Sequence, residues 1–240
     1  PKTKPLAKLA AGVQWITTRS GIVASNLFEG LGCIRSGPGV EYPDLQLIIS
    51  PIAVDDATWK PLQEHAFQIH VGLMRAHSRG RIELRSSDPN DPPSILVNYL
   101  KDGRDREIMR KGIRLVRGLV DQPAFCDLKG DEIFPGHNVQ SDADLDRVLN
   151  AQATTQWHRS CTARMGAATY TGAVVDPSGR VHGFSGLRVV DASIMPFVTN
   201  GNTNAPTIML AEKLSDDILG RAPLARLEAE VWRHPEYETC

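Results

Sequence analysis

The sequence predicts an α+β fold, with an antiparallel sheet carrying helices in its first two-thirds and a strand-to-helix α/β unit in its last third. Three observations predict it. Candidate strands at 67–73, 81–85 and 94–99 follow one another through turns with no helix between them, which implies antiparallel pairing. A helical apolar stripe then runs from Asp105 to Val120. Finally, Leu187–Val190 leads through a Gly/Asn-rich loop into a helix near Ala205-Pro206, which is half of a βα unit. A chain of 240 residues with 41% hydrophobic and 23% charged composition is ordinary globular material and can bury a core without disulfide or metal staples.

Taken in order, residues 1–60 alternate apolar runs with Gly, Pro and Ser punctuation. Gly30-Leu31-Gly32-Cys33-Ile34-Arg35 opens like a dinucleotide fingerprint, lacks the third glycine, and is not expected to hold pyrophosphate. Leu45, Leu47 and Ile49 alternate with Gln46 and Ile48 in a mostly buried strand stopped by Pro51. Phe67, Ile69, Val71 and Leu73 share a face of the next strand. Ile82 and Leu84 alternate with Arg81, Glu83 and Arg85, and after the turn Asp88–Pro93 a third strand covers Ser94–Tyr99. In the helix that follows, Arg106, Arg110, Lys111, Arg114 and Arg117 lie opposite the apolar stripe. Without aromatic interleaving they read as a solvated face and not as a nucleic-acid stripe. Ser141 precedes Asp144 and the trio Leu145, Val148 and Leu149, marking a short capped helix. The last helix buries Ile208, Leu210, Ala211, Leu214, Ile218 and Leu219, and Gly220 ends it.

Composition excludes several function classes. A net charge of -1 gives no global field for nucleic acid or an anionic membrane. No stretch reaches the roughly 18 apolar residues of a membrane helix, and the start lacks the core of a secretory signal. Cys33, Cys126, Cys161 and Cys240 form no CxxC pair, so neither a zinc site nor a disulfide framework is indicated. A cytoplasmic location is the expectation. The chain begins at Pro1, and its densest motifs crowd into the last third, as in the carboxy-terminal part of a longer protein.

Those motifs are Trp157-His158-Arg159-Ser160-Cys161-Thr162-Ala163-Arg164-Met165-Gly166 and the run VVDPSGRVHGFSGLRVVDASIMPFVTNGNTNAPTIMLAEKLSDDILG from Val174 to Gly220. Across about residues 157–220 the sequence resembles the glucose–methanol–choline (GMC) oxidoreductases, flavoenzymes that oxidise alcohols, and within them the choline-dehydrogenase-like type. The resemblance implies a GMC-type substrate-binding domain at 25–156. It implies that 157–222 completes a Rossmann-like FAD-binding domain and the active site. Residues 1–24 are then a linker or the end of the flavin domain, and 223–240 a tail.

The resemblance carries roles to particular residues. Alcohol oxidation needs a group to accept or polarise the hydroxyl proton while hydride leaves carbon, and histidine suits this with an unperturbed pKa of about 6.5. His158 falls at the first catalytic position, as base. Asn204 stands where the family has a second His or Asn, to hydrogen-bond the developing alkoxide. Trp157, His158, Asp191, Ala192, Ala205 and Pro206 are the expected FAD contacts. The helix beginning at Ala205 aims unpaired N–H groups and a positive dipole end at that site. The plainer reading of Asp191 is a cap, and Cys161, which replaces a glycine of the family pattern, reads as packing. His158 and Cys161 lack partners for a metal site, so none is expected. The glycine-rich fingerprint for the ADP half of FAD is not in these 240 residues. The expected partners are therefore an alcohol, the missing amino-terminal half and, in a homodimer, a second copy. The alternatives are a hydroxynitrile-lyase-like enzyme on the same fold, and a non-catalytic fragment.

Overall fold

The computed structural model describes residues 4–55, 58 and 60–229; His234, Cys240 and the end of the expected tail lie outside the described residues. The chain divides into two compact units that interleave in sequence. The described residues of the first fall within Pro1–Ser36, Pro43–Leu73 and Glu107–Asp146, and those of the second within Gly37–Tyr42, Met74–Arg106 and Arg147–Cys240.

The first unit is built on a three-stranded antiparallel sheet. Its strands are β1 (Gly30–Ile34), β2 (Leu45–Ser50) and β3 (Gln68–Leu73), with β2 in the centre. Leu47 of β2 stands between Gly32 and Val71 of its neighbours. The fingerprint-like glycine segment is thus an edge strand and not a phosphate loop leading into a helix. Burial concentrates on the central strand, where Leu45 and Leu47 are almost fully enclosed. Helix α2 (Gly103–Val120) continues into this unit. At Gly112 a Cβ would lie 2.6 Å from Val71 Cγ1, so the absent side chain lets the helix approach the sheet.

The basic face of α2 is paired rather than merely solvated. Arg110 meets Asp146 at 2.7 Å, Arg114 meets Asp142 at 2.6 Å, and Arg117 meets Glu132 at 3.1 Å. The start of helix α3 (Asp142–Gln152) supplies two of those carboxylates. Ser141 caps α3 as its sequence predicts. Its hydroxyl accepts the Asp144 N–H at 3.1 Å and donates to the Asp144 carboxylate at 2.6 Å.

Besides β1, one further element has no counterpart in the sequence reading. Helix α1 (Pro5–Thr18) occupies residues expected to be a linker or the end of the flavin domain. Proline at its first turn costs no hydrogen bond, and Leu6, Leu9, Val13 and Ile16 recur at helical spacing. All four are exposed, so the stripe marks no core within this unit.

In the second unit, β4 (Arg81–Glu83) and β5 (Ser94–Leu96) pair as a two-stranded antiparallel sheet. Both are shorter than the expected 81–85 and 94–99. Ile82, Leu84, Ile95 and Leu96 are exposed, so little burial extends the ladder. Asp105 in the first turn of α2 is fully buried and accepts the N–H groups of His77 and Ser78 at 2.8 and 2.7 Å. The core consists of Val175, Ile194 and Leu214, with Met165, Val181, Val189, Val190 and Leu210 packed around it. Leu214 belongs to helix α4 (Asn204–Ile218).

The expected strand at Leu187–Val190 requires correction. These residues form no strand; Arg188 makes an isolated antiparallel bridge to Arg180, and Val189 N–H donates to Gly179 at 2.9 Å. A continuous ladder needs a neighbour running alongside, and here the neighbouring chain turns away at Gly179. Its apolar character reflects packing of Val189 and Val190 on the core instead.

Candidate active site

Both motif segments lie in the second unit, and the backbone joins them. The N–H groups of Cys161, Ala163 and Met165 donate to the carbonyls of Ala192, Ser193 and Ile194 at 3.2, 2.9 and 2.8 Å. The histidine-bearing segment therefore runs beside the Asp191-Ala192-Ser193 turn. Ile194 and Met195 are buried beneath it, which fixes this pairing to the core.

His158 sits between two residues with left-handed backbone, Trp157 at φ 66° and Cys161 at φ 71°. Each conformation is unfavourable for an L-residue, and such strain persists only where surrounding contacts impose it. This explains why glycine suits position 161 in the pattern the sequence resembles. Cys161 tolerates the position with its Sγ 3.1 Å from Ser160 Oγ.

The half-buried His158 ring points at the start of α4. Its Nδ1 lies 3.1 Å from the Thr203 hydroxyl and 3.5 Å from the Thr203 backbone N–H, 45 positions along the chain. Thr203 is itself buried and takes the α4 N-cap position, where its carbonyl accepts both the N–H and the hydroxyl of Thr207. Asn204 is the next residue. The fold thus brings His158 to the neighbour of Asn204. Among the described residues, neither His158 Nε2 nor the exposed Asn204 amide has a hydrogen-bond partner. Thr203 is the residue that sequence reasoning missed, since no local spacing signals a contact this distant.

The other expected contacts are spread around this point. Ala205 is exposed and Pro206 half-buried in the first turn of α4, whose N-terminus has no side-chain cap. Its free N–H groups and positive dipole end are available to an electron-rich group. Asp191 caps a 3-10 turn, Ala192–Ile194, and accepts the Ser193 N–H at 2.7 Å on one oxygen. Capping is therefore what its side chain does within this chain, and the carboxylate stays exposed. Trp157 is exposed, with the Arg159 guanidinium 5.0 Å from its ring centroid. The far end of α4 is closed by Gly220 at φ 66°, with Gly220 and Arg221 N–H groups returning to Asp217 and Asp216 carbonyls. Arg188 meets Asp217 at 2.6 Å and, chiefly by that hydrogen bond, holds its carboxyl below the usual carboxylate range. Among the described residues, no group of three or more His, Cys, Asp or Glu is placed to hold a metal. None of the described helices is long and apolar enough to cross a membrane.

A family model described as GMC oxidoreductase matches residues 76–211. The chain belongs to the GMC oxidoreductase family. It is 49% identical over 232 residues to an oxygen-dependent choline dehydrogenase of Pseudomonas aeruginosa strain UCBPP-PA14, covering 97% of this chain and 41% of that protein. It is 48% identical over 233 residues to the oxygen-dependent choline dehydrogenase of Stenotrophomonas maltophilia strain R551-3, with coverage of 97% and 42%. The GMC chain therefore spans about two-fifths of the length of these relatives. Among solved structures it resembles pyridoxine 4-oxidase from Mesorbium loti, with a TM-score of 0.74 and 25% identity, covering 82% of this chain and 38% of that one. It also resembles a variant of the Aspergillus oryzae RIB40 formate oxidase whose mutation bears on FAD modification. There the TM-score is 0.77 at 26% identity, with coverage of 89% and 42%.

Proposed function

We propose that this chain supplies the substrate-facing part of the active site of an FAD-dependent alcohol oxidoreductase, oxidising a primary or secondary alcohol to its carbonyl. In this reading residues 25–156 bind substrate and residues 157–222 complete the FAD-binding domain. The observation that carries the reading is the junction of His158 with the start of α4, where, among the described residues, Nε2 and the Asn204 amide have no hydrogen-bond partner. Two polar tips free at neighbouring positions would suit an alcohol oxygen, which needs partners on both its proton and its lone pairs.

The residues present fit the flavin half of FAD. The uncapped first turn of α4 offers N–H groups and dipole to the electron-rich edge of the ring, with Pro206 lacking an N–H to waste. Trp157 and Ala192 would line it, and Asp191 retains one carboxylate oxygen for a polar contact. Bound FAD would supply the acceptor for the hydride. His158 would exchange the hydroxyl proton as base, and Asn204 would steady the oxygen as negative charge grows. Family membership and the choline dehydrogenases among the relatives support this reading, and choline heads the alcohols to be tried.

The test is anaerobic. The FAD-loaded full-length protein is mixed with choline and with a panel of neutral primary alcohols, and the flavin spectrum is followed. Bleaching by an alcohol supports the proposal. Retention of oxidised flavin with every alcohol, alongside cleavage of a hydroxynitrile, would favour the lyase alternative.

A further inference from the structure

Thr203 meets His158 with two different kinds of group. Its hydroxyl, 3.1 Å from Nδ1, is able either to donate or to accept, whereas its backbone N–H, directed at the same nitrogen at 3.5 Å, is able only to donate. The nitrogen that receives an amide N–H must present its lone pair. The hydroxyl facing that lone pair then donates as well. We propose that Thr203 is a positioning residue which anchors His158 through Nδ1 and holds the resting imidazole in the tautomer with its proton on Nε2. This rests on the reading above, in which Nε2 is the atom that meets the alcohol.

Thr203 is suited to the task. It is nearly fully buried, and its carbonyl is tied down by two bonds from Thr207, one from the backbone and one from the hydroxyl at 2.6 Å. A group so held transmits the orientation of α4 to the imidazole ring. Because Asn204 follows in the chain, one anchored turn sets the placement of both polar tips. His158 consequently greets the alcohol oxygen with an N–H donor. To act as base the ring must first exchange its proton through solvent from Nε2 to Nδ1, where the Thr203 hydroxyl turns to accept it while the backbone N–H loses its acceptor. Thr203 thus favours the resting tautomer, and its hydroxyl alone supports the base-competent one. The backbone N–H cannot turn, so the choice of tautomer lies with this residue.

The decisive measurement is a long-range proton–nitrogen correlation spectrum of the protein labelled with 15N-histidine. It is taken at alkaline pH, where free imidazole is neutral, and His158 is assigned by its loss in His158→Gln. The expected result is a protonated Nε2 and a hydrogen-bonded, unprotonated Nδ1. A protonated Nδ1, or the averaged tautomers of an unheld ring, overturns the proposal and leaves the alcohol-oxidation reading untouched. Kinetics of the FAD-loaded protein supply the second arm. Thr203→Val should keep FAD and lower flavin reduction by alcohol roughly tenfold, and Thr203→Ser should restore it, since only the hydroxyl bond is removed and returned. Equal rates in Thr203→Val and wild type refute the positioning role. A wild-type rate in His158→Gln removes His158 as the base, and wild-type protein whose flavin no alcohol reduces refutes the alcohol-oxidation reading itself, whatever the tautomer.

Discussion

At residue scale, the backbone around His158 carries the clearest physical signature. Cys161 adopts φ 71° within three residues of the histidine, in a segment pinned by hydrogen bonds to Ala192, Ser193 and Ile194. Removing the side chain should relieve strain, and a β-branched one should add to it. Cys161→Gly is expected to leave stability unchanged or raise it by up to about 1 kcal/mol, and Cys161→Val to lower it by about 1–3 kcal/mol, measured as denaturation midpoints. Asn204 is expected to contribute little to stability, because its amide is exposed and has no hydrogen-bond partner among the described residues. Asn204→Ala should retain FAD while flavin reduction in the full-length protein slows by about 2.7–4 kcal/mol of barrier, measured by stopped flow. His158 and Asn204 were marked out as candidates in the sequence because each stands inside a dense motif. Thr203 was not, because its importance lies in a contact 45 positions away.

At the scale of elements, α2 holds two glycines with opposite roles. A Cβ at Gly112 would meet Val71 Cγ1 at 2.6 Å and Leu45 Cδ2 at 3.2 Å, whereas at Gly118 it would meet nothing within 4 Å. Both replacements gain up to about 1 kcal/mol of helix propensity, but overpacking at the sheet typically costs about 1–3 kcal/mol. Gly118→Ala should therefore raise the melting temperature and Gly112→Ala lower it. The ion pairs of α2 give the fold an acid-sensitive component. The Arg114 hydrogen bond, aided by the charge of Arg110, holds the Asp142 carboxyl below its ordinary range. A depressed folded-state value stabilises fully above the unfolded pKa of about 3.9 and loses that contribution as pH falls through the folded value. Asp142→Asn should therefore be less stable than wild type near neutrality, with the difference in denaturation midpoints shrinking below about pH 4. Helices α2, α3 and α4 were legible from apolar periodicity and caps, but of the buried face expected for α4 only Leu214 is fully enclosed, and Ile208, Ile218 and Leu219 are exposed. Helix α1 was not, since its stripe is exposed, and β1 was hidden in a glycine-rich segment whose strand character depends on β2.

At the scale of the whole molecule, sequence periodicity and tertiary pairing diverge most at Leu187–Val190. Leu187, Val189 and Val190, with Arg188 between them, read as a strand, yet only one isolated bridge forms, from Arg188 to Arg180, because a strand is defined by its neighbours and not by its own residues. The GMC motif itself was legible because it joins chemistry-bearing residues at fixed spacing across about a quarter of the chain. The pairing of its halves along Cys161–Met165 and Ala192–Ile194 emerges only in three dimensions. The central claim is that this pairing sets His158 against the alcohol. It is tested most directly by comparing wild type and His158→Ala in the FAD-loaded full-length protein, with bound FAD and the anaerobic rate of flavin reduction by alcohol measured on the same samples. The account predicts near-normal FAD content with reduction slowed by about 10²–10⁴-fold. An undiminished reduction rate in His158→Ala, or loss of FAD and folding before any loss of rate per bound flavin, would contradict it.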